Sequence, residues 1–220
     1  MGTKTFNSGE TGQDSRIIAG VFAAGKTDEN RVPVGLSEWR IKTGSPIIAD
    51  AVAELFGGTP QYIGSSRELH LAVDTRANTV PILMAGLNDL CVDMKLWNRG
   101  ELVHHCDGVE FLSPAKKRGT PCGCPATLSE RKNSARDFMG PSPSIEVTFR
   151  LADRPDLGEF QFKTGTWTLL GALEGVENDL AAVDGPALCE LSLVRVDVVT
   201  KNGQNAHYMK PEIRVLGPAS

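Results

Sequence analysis

Apolar and polar positions alternate over much of this chain, and two stretches break into helical spacing instead. Over 36–43, Leu36, Glu38, Arg40 and Lys42 interleave with Trp39, Ile41 and Thr43, the period of a strand. Further strands are expected at 17–23, 68–73, 80–85, 91–97, 102–106, 145–151 and 159–163. The first helix has punctuation at both ends. Ser45 suits the N-cap, Pro46 the first helical position, and Gly57-Gly58 the stop. Between them Ile47, Ile48, Ala51, Val52, Leu55 and Phe56 line one apolar face. A second helix is expected over 166–183, with Leu169, Leu170, Leu173, Val176, Leu180 and Val183 on one side. Gly171 and Gly175 either weaken it, by roughly 1 kcal/mol each relative to Ala, or let it approach a neighbour closely. The chain ends in a hairpin, 188–200 and 206–216 around Asn202-Gly203, a type I′ turn signal. Polar positions change phase near Leu193-Val194, which predicts a bulge there, and Pro211 assigns the last strand to an edge.

Residues 107–143 are different, with Gly and Pro scattered among charges. So long an irregular stretch inside a compact domain needs a staple or is mobile. The staple is suggested by His104-x-Cys106 and Cys122-x-Cys124, since alternate residues of an extended chain share a face. These are four donors of the kind tetrahedral zinc takes, and a structural zinc adds folding free energy where apolar packing is sparse. His105 and Asp137 compete with His104 for the fourth position, and the plain alternative is a set of reduced thiols beside two surface histidines. Cys91 and Cys189 sit in apolar strands and read as small core residues. Together the patterns predict an α+β fold: mostly antiparallel strands, two main helices and an irregular insertion with a zinc staple. Residues 1–15 read as a disordered tail, 16–216 as a single domain, and 104–143 as its zinc-binding subregion.

Composition narrows the function. Lys and Arg number 23 against 27 Asp and Glu, a net charge of −4. Phosphate-directed DNA binding needs a clustered basic excess, and the only tight run, Lys116-Lys117-Arg118, reads as a solvated loop. The polar N-terminus has no signal-peptide core, and Phe6 breaks the myristoylation spacing. No apolar run reaches the ~20 residues of a membrane helix. Five cysteines, an odd count, fit a cytoplasmic chain with reduced thiols. No G-x-S-x-G, Walker A, H-E-x-x-H or G-x-G-x-x-G motif is present to suggest catalysis. Asp50 and Glu54 read as a solvated helix face, and Cys106 and its neighbour His105 point to opposite sides of a strand.

Several segments, in order, resemble the recombination directionality factors of actinobacterial phages. They are Leu36-Ser37-Glu38-Trp39-Arg40, Ala51-Val52-Ala53-Glu54-Leu55-Phe56-Gly57-Gly58, Leu96-Trp97, Cys106-Asp107-Gly108 and Cys122-Gly123-Cys124-Pro125. Phe149-Arg150-Leu151, Leu157-Gly158-Glu159-Phe160 and Gly165-Thr166-Trp167 continue the likeness, which covers about 15–216. The resemblance implies a non-enzymatic protein that binds a phage-encoded large serine integrase in the infected host's cytoplasm. It would promote excision, attL with attR, and inhibit integration, attP with attB, reaching DNA only through the integrase and taking no small-molecule substrate. It carries Cys106, Cys122 and Cys124 over as zinc ligands. Where the family has a further cysteine, this chain reads Met139-Gly140-Pro141-Ser142-Pro143. His104 stands where the family more often has Arg; either it replaces that ligand or the site has lost its metal. The competing reading is a zinc-stapled accessory of phage DNA replication or single-stranded DNA. The 3 Trp, 2 Tyr and 8 Phe and the lack of a basic stripe do not favour it.

Overall fold

The computed structural model describes residues 17–219 apart from positions 31, 65, 67, 200 and 201; the tail expected at 1–15 lies outside the described residues. Strands β1 (Ile18–Thr27) and β2 (Pro33–Thr43) lead into helix α1 (Pro46–Phe56). Then come β3 (Pro60–Tyr62), β4 (Leu71–Asp74), β5 (Thr79–Met84), β6 (Leu90–Asn98), β7 (Glu101–Cys106) and β8 (Phe111–Ser113). Helix α2 (Leu128–Arg136), β9 (Ser142–Leu151), β10 (Glu159–Thr164), α3 (Trp167–Ala181), β11 (Ala187–Val199) and β12 (Asn205–Pro218) complete the chain. The strands form one sheet in the order β12-β11-β5-β9-β10-β1-β2-β4-β3, from which a β6-β7-β8 arm branches at β9. Only β1 and β10 pair in parallel among the described residues; the rest is antiparallel, as the alternation predicts.

The branch positions the site. β9 uses Ser142 to Val147 against β6 and Leu151 and Arg150 against β5, while β10 runs along its other edge. The core gathers where these strands meet β1 and β2. Phe22 stands edge-on to Trp39 at 5.6 Å and to Phe149 at 5.1 Å, and Trp39 edge-on to Phe162 at 5.0 Å. Such geometry is favourable beyond the area buried. Trp39 is fully buried, and its indole N–H donates to Leu191 O at 3.3 Å, so no polar atom is stranded.

Helix α1 has the expected ends: Ser45 accepts from the Ile48 N–H and Pro46 opens the helix. Ala49, Ala51 and Val52 are buried, but Ile47, expected on the apolar face, is 77% exposed. In α3, Leu169, Leu170, Leu173, Val176 and Leu180 are buried. A methyl built on Gly171 or Gly175 meets nothing within 4 Å, so these glycines face open space and the close-approach alternative is ruled out.

Two expectations need correction. The terminal hairpin has no bulge at Leu193-Val194: pairing runs without a break from Cys189↔Val215 to Val199↔Asn205. Ala187, Cys189, Leu191 and Leu193 face the core; beyond Leu193 the ribbon projects past it, and the valines of the opposite face produce the change of phase. Cys91 is half-buried rather than in the core, whereas Cys189 is fully buried, its thiol pushed up to about 11 by desolvation. Pro211 lies in an edge strand as expected. Its partner Leu193 donates its N–H to Asn78 O, away from β12, so the proline nitrogen faces the sheet's open side.

Candidate metal centre

The stretch 107–143 is more ordered than its composition suggests. After β7, Asp107 Oδ1 accepts from the N–H groups of Val109 and Glu110 at 2.8 and 2.7 Å, an Asx turn that reverses the chain. β8 then pairs back on β7, Cys106 opposite Phe111. Residues 119–122 return along β8, with Phe111 N–H to Thr120 O at 2.9 Å and Cys122 N–H to Val109 O at 2.9 Å. This ribbon carries Cys122 to the end of β7. Gly123, at φ +74, then turns the backbone sharply enough for Cys124 to come back to the same point. The chain continues into α2, unforeseen because few of its residues are apolar. Its signal was Thr127-x-x-Glu130, a capping box in which Thr127 Oγ1 accepts from Glu130 N–H and Glu130 accepts from Thr127 N–H. The run Lys116-Lys117-Arg118 is an exposed turn, as expected, with Arg118 donating to Leu112 O.

The four donors converge. One ligand atom from each of His104, Cys106, Cys122 and Cys124 lies within 4.8 Å of the others, so the group can hold a metal ion. His104 Nε2 stands 3.2 Å from Cys106 Sγ and 3.6 Å from Cys124 Sγ, and the Cys106 and Cys124 sulfurs are 3.7 Å apart. A tetrahedron with Zn–S of about 2.3 Å and Zn–N of about 2.0–2.1 Å has edges of about 3.8 Å between sulfurs and about 3.6 Å from sulfur to nitrogen. These spacings suit one small tetrahedral cation. Cys106 is wholly buried and Cys122 9% exposed; none of the five cysteines is in a disulfide. Phe111 packs on the His104 ring, centroids 4.7 Å apart.

The competing donors are elsewhere. His105 points through the opposite face of β7, with Nε2 3.1 Å from Asp93 Oδ2 and Nδ1 3.0 Å from Ser113 Oγ. Lys95 Nζ closes that buried network at 3.0 Å from Asp93 Oδ2. Asp137 caps the C-terminus of α2 and pairs with Arg136 at 3.5 Å, its side chain 63% exposed. Asp50 and Glu54 are exposed on α1, as expected for a solvated face.

Crowded thiols compete for protons. The hydrogen bond to Cys124 is the largest influence holding the proton on Cys106, and burial adds to it. Burial likewise raises Cys122. Cys124 is drawn down to about 6, first by its hydrogen bond from Cys106, then by one from Cys122 and by the charges of His104 and Arg131, with burial opposing. Sulfurs this close are awkward neighbours without a cation. A divalent cation at the centre would relieve all three.

Fold and site thus define a mostly antiparallel α+β protein with a three-thiol, one-imidazole cluster that can hold a metal. The chain belongs to the recombination directionality factor-like (Gp3-like) family, whose sequence profile matches residues 14–216. No solved structure matches it. Membership makes this a recombination-related protein and implies a protein partner in recombination. No helix among the described residues is long and apolar enough to cross a membrane.

Proposed function

We propose that this protein is a recombination directionality factor that docks on a phage-encoded large serine integrase, favouring excision between attL and attR and opposing integration between attP and attB. The observation that carries this reading is the family match across residues 14–216. Reversal needs only differential binding: a factor that grips the excision-competent integrase better shifts the population toward it, and equal affinity for both forms shifts nothing. The protein makes and breaks no bonds in this reading; the integrase's serine does so. The net charge of −4 supports docking on protein, with DNA reached through the integrase. The only tight basic run is a short exposed turn, in which Lys117 lies over the Phe111 ring. The setting is the cytoplasm of the infected host, where thiols stay reduced.

The cluster holds zinc as a structural ion, ligated by His104, Cys106, Cys122 and Cys124. Its donor set and sulfur spacings support this. When bound, the ion ties the end of β7 to the 119–124 turn and so orders the arm that branches from β9. Residues 16–216 form one domain around it.

The test is a mobility-shift and recombination assay with attL and attR DNA, the cognate integrase and the purified protein. Slowed complexes and excision products that require both proteins are expected, with attP × attB recombination falling as the factor is added. Tight binding to DNA by the factor alone, or no effect on direction, overturns the reading.

A further inference from the structure

Arg131 is the buried residue of α2, at 6% exposure. Its Nε donates to Pro125 O at 2.6 Å and its Nη2 to Gly108 O at 2.8 Å. Both acceptors are neutral carbonyls, and among the described residues no carboxylate forms an ion pair with it. A guanidinium withdrawn from water calls for a compensating negative charge. The backbone is shaped to admit it: at Gly108, φ +91, an added methyl would lie 2.4 Å from Arg131 Nη1.

The two carbonyls are informative by position. Gly108 lies two residues beyond Cys106, and Pro125 directly follows Cys124. The side chain therefore spans the two ligand-bearing segments that must meet for the cluster to form. A loaded cluster would supply that compensating negative charge. Three thiolates and a neutral imidazole around a divalent ion leave one net negative charge, matched by one arginine.

We propose that Arg131 is the counter-charge and clamp of the metal centre, balancing the single negative charge of the loaded site while holding its two strands of ligands together through Pro125 and Gly108. This rests on the zinc reading above. Arg131 is a positioning residue, since it touches backbone rather than metal. Ligand-supporting groups of this kind are conventionally worth 10- to 100-fold in metal affinity, a range of roughly one to two decades.

The experiment compares the full-length protein with Arg131→Lys and Arg131→Met, measuring zinc per chain and zinc affinity by competition with a chromophoric chelator. Far-UV circular dichroism establishes folding. Arg131→Met is expected to bind zinc roughly 10- to 100-fold more weakly. Arg131→Lys keeps the charge but loses the two-carbonyl fork, and is expected to fall between, at least about fivefold tighter than Arg131→Met. A purely structural role would not separate these two long, similar stems by charge. Should Arg131→Met not fold, Arg131→Gln takes its place against the same lysine variant. Lysine and neutral variants of equal affinity, or a neutral variant within about threefold of the parent, overturn the inference alone. A parent protein that takes up no zinc overturns the zinc reading and this inference with it.

Discussion

Removing the metal should melt one part of this protein and spare the rest. Helix α2 has nine residues, and Arg131 is its buried one. An isolated helix shorter than about 12–15 residues is marginal in water. The turn at 119–124 likewise rests on a few backbone hydrogen bonds and on the convergence of its ligands. By contrast Phe22, Trp39, Phe149, Phe160 and Phe162 pack the centre of the sheet largely on one another. Linkage sets the size of the effect. With free zinc about a thousandfold above its dissociation constant, binding stabilises the segment by about 4.1 kcal/mol, or three decades in protection. Hydrogen exchange with and without a chelator is the assay. The amides of Cys122, bonded to Val109 O, and Arg131, bonded to Thr127 O, should lose about 10³ in protection on chelation. The amide of Trp39, bonded to Ala77 O, should change little. Equal loss at all three, or none at Arg131, would refute the argument that metal and sheet stabilise separate parts.

Two further outcomes follow from the fold. Gly171→Ala and Gly175→Ala should each raise stability by about 0.5–1 kcal/mol in urea melts, since both face open space within α3; a loss would mean those positions pack against something. Cys189, pushed up to about 11, should resist iodoacetamide in the folded protein at pH 8 and react once unfolded. The sign of its linkage follows. Folded Cys189 keeps its proton while the unfolded thiol, near 9.0, gives it up, so its contribution to stability is undiminished below pH 9 and falls as pH rises from there toward 11. Rapid labelling at pH 8 without loss of structure would contradict its burial.

Much of this was legible in the chain because the deciding signals are local. Ser45, Pro46 and Gly57 act within a turn of themselves, and alternation over 145–151 needs no distant partner. His104 and Cys106 were visible for the same reason, since alternate residues of β7 share a side, whereas Cys122 and Cys124 converge through the left-handed turn at Gly123 rather than through extended alternation. Strand parity already sets His104 beside Cys106, and the tertiary contacts agree: Asp93 on β6 and Ser113 on β8 hold the His105 ring on the opposite face. Arg131 was missed because a charged residue in a polar helix looks like any solvated one. Its role appears only when Gly108 and Pro125 are brought to it. The change of phase at Leu193-Val194 arises because the ribbon outruns the surface that buries its first half, not from a bulge.

Pro211 has a consequence for how this protein meets others. A fourteen-residue outermost strand is an invitation to self-association, because a neighbour can extend the sheet by zipping along it. With one outward donor deleted near its middle, that zipper cannot run the full length. Recognition is thereby left to surface chemistry, and stray copies are denied an easy template for fibres.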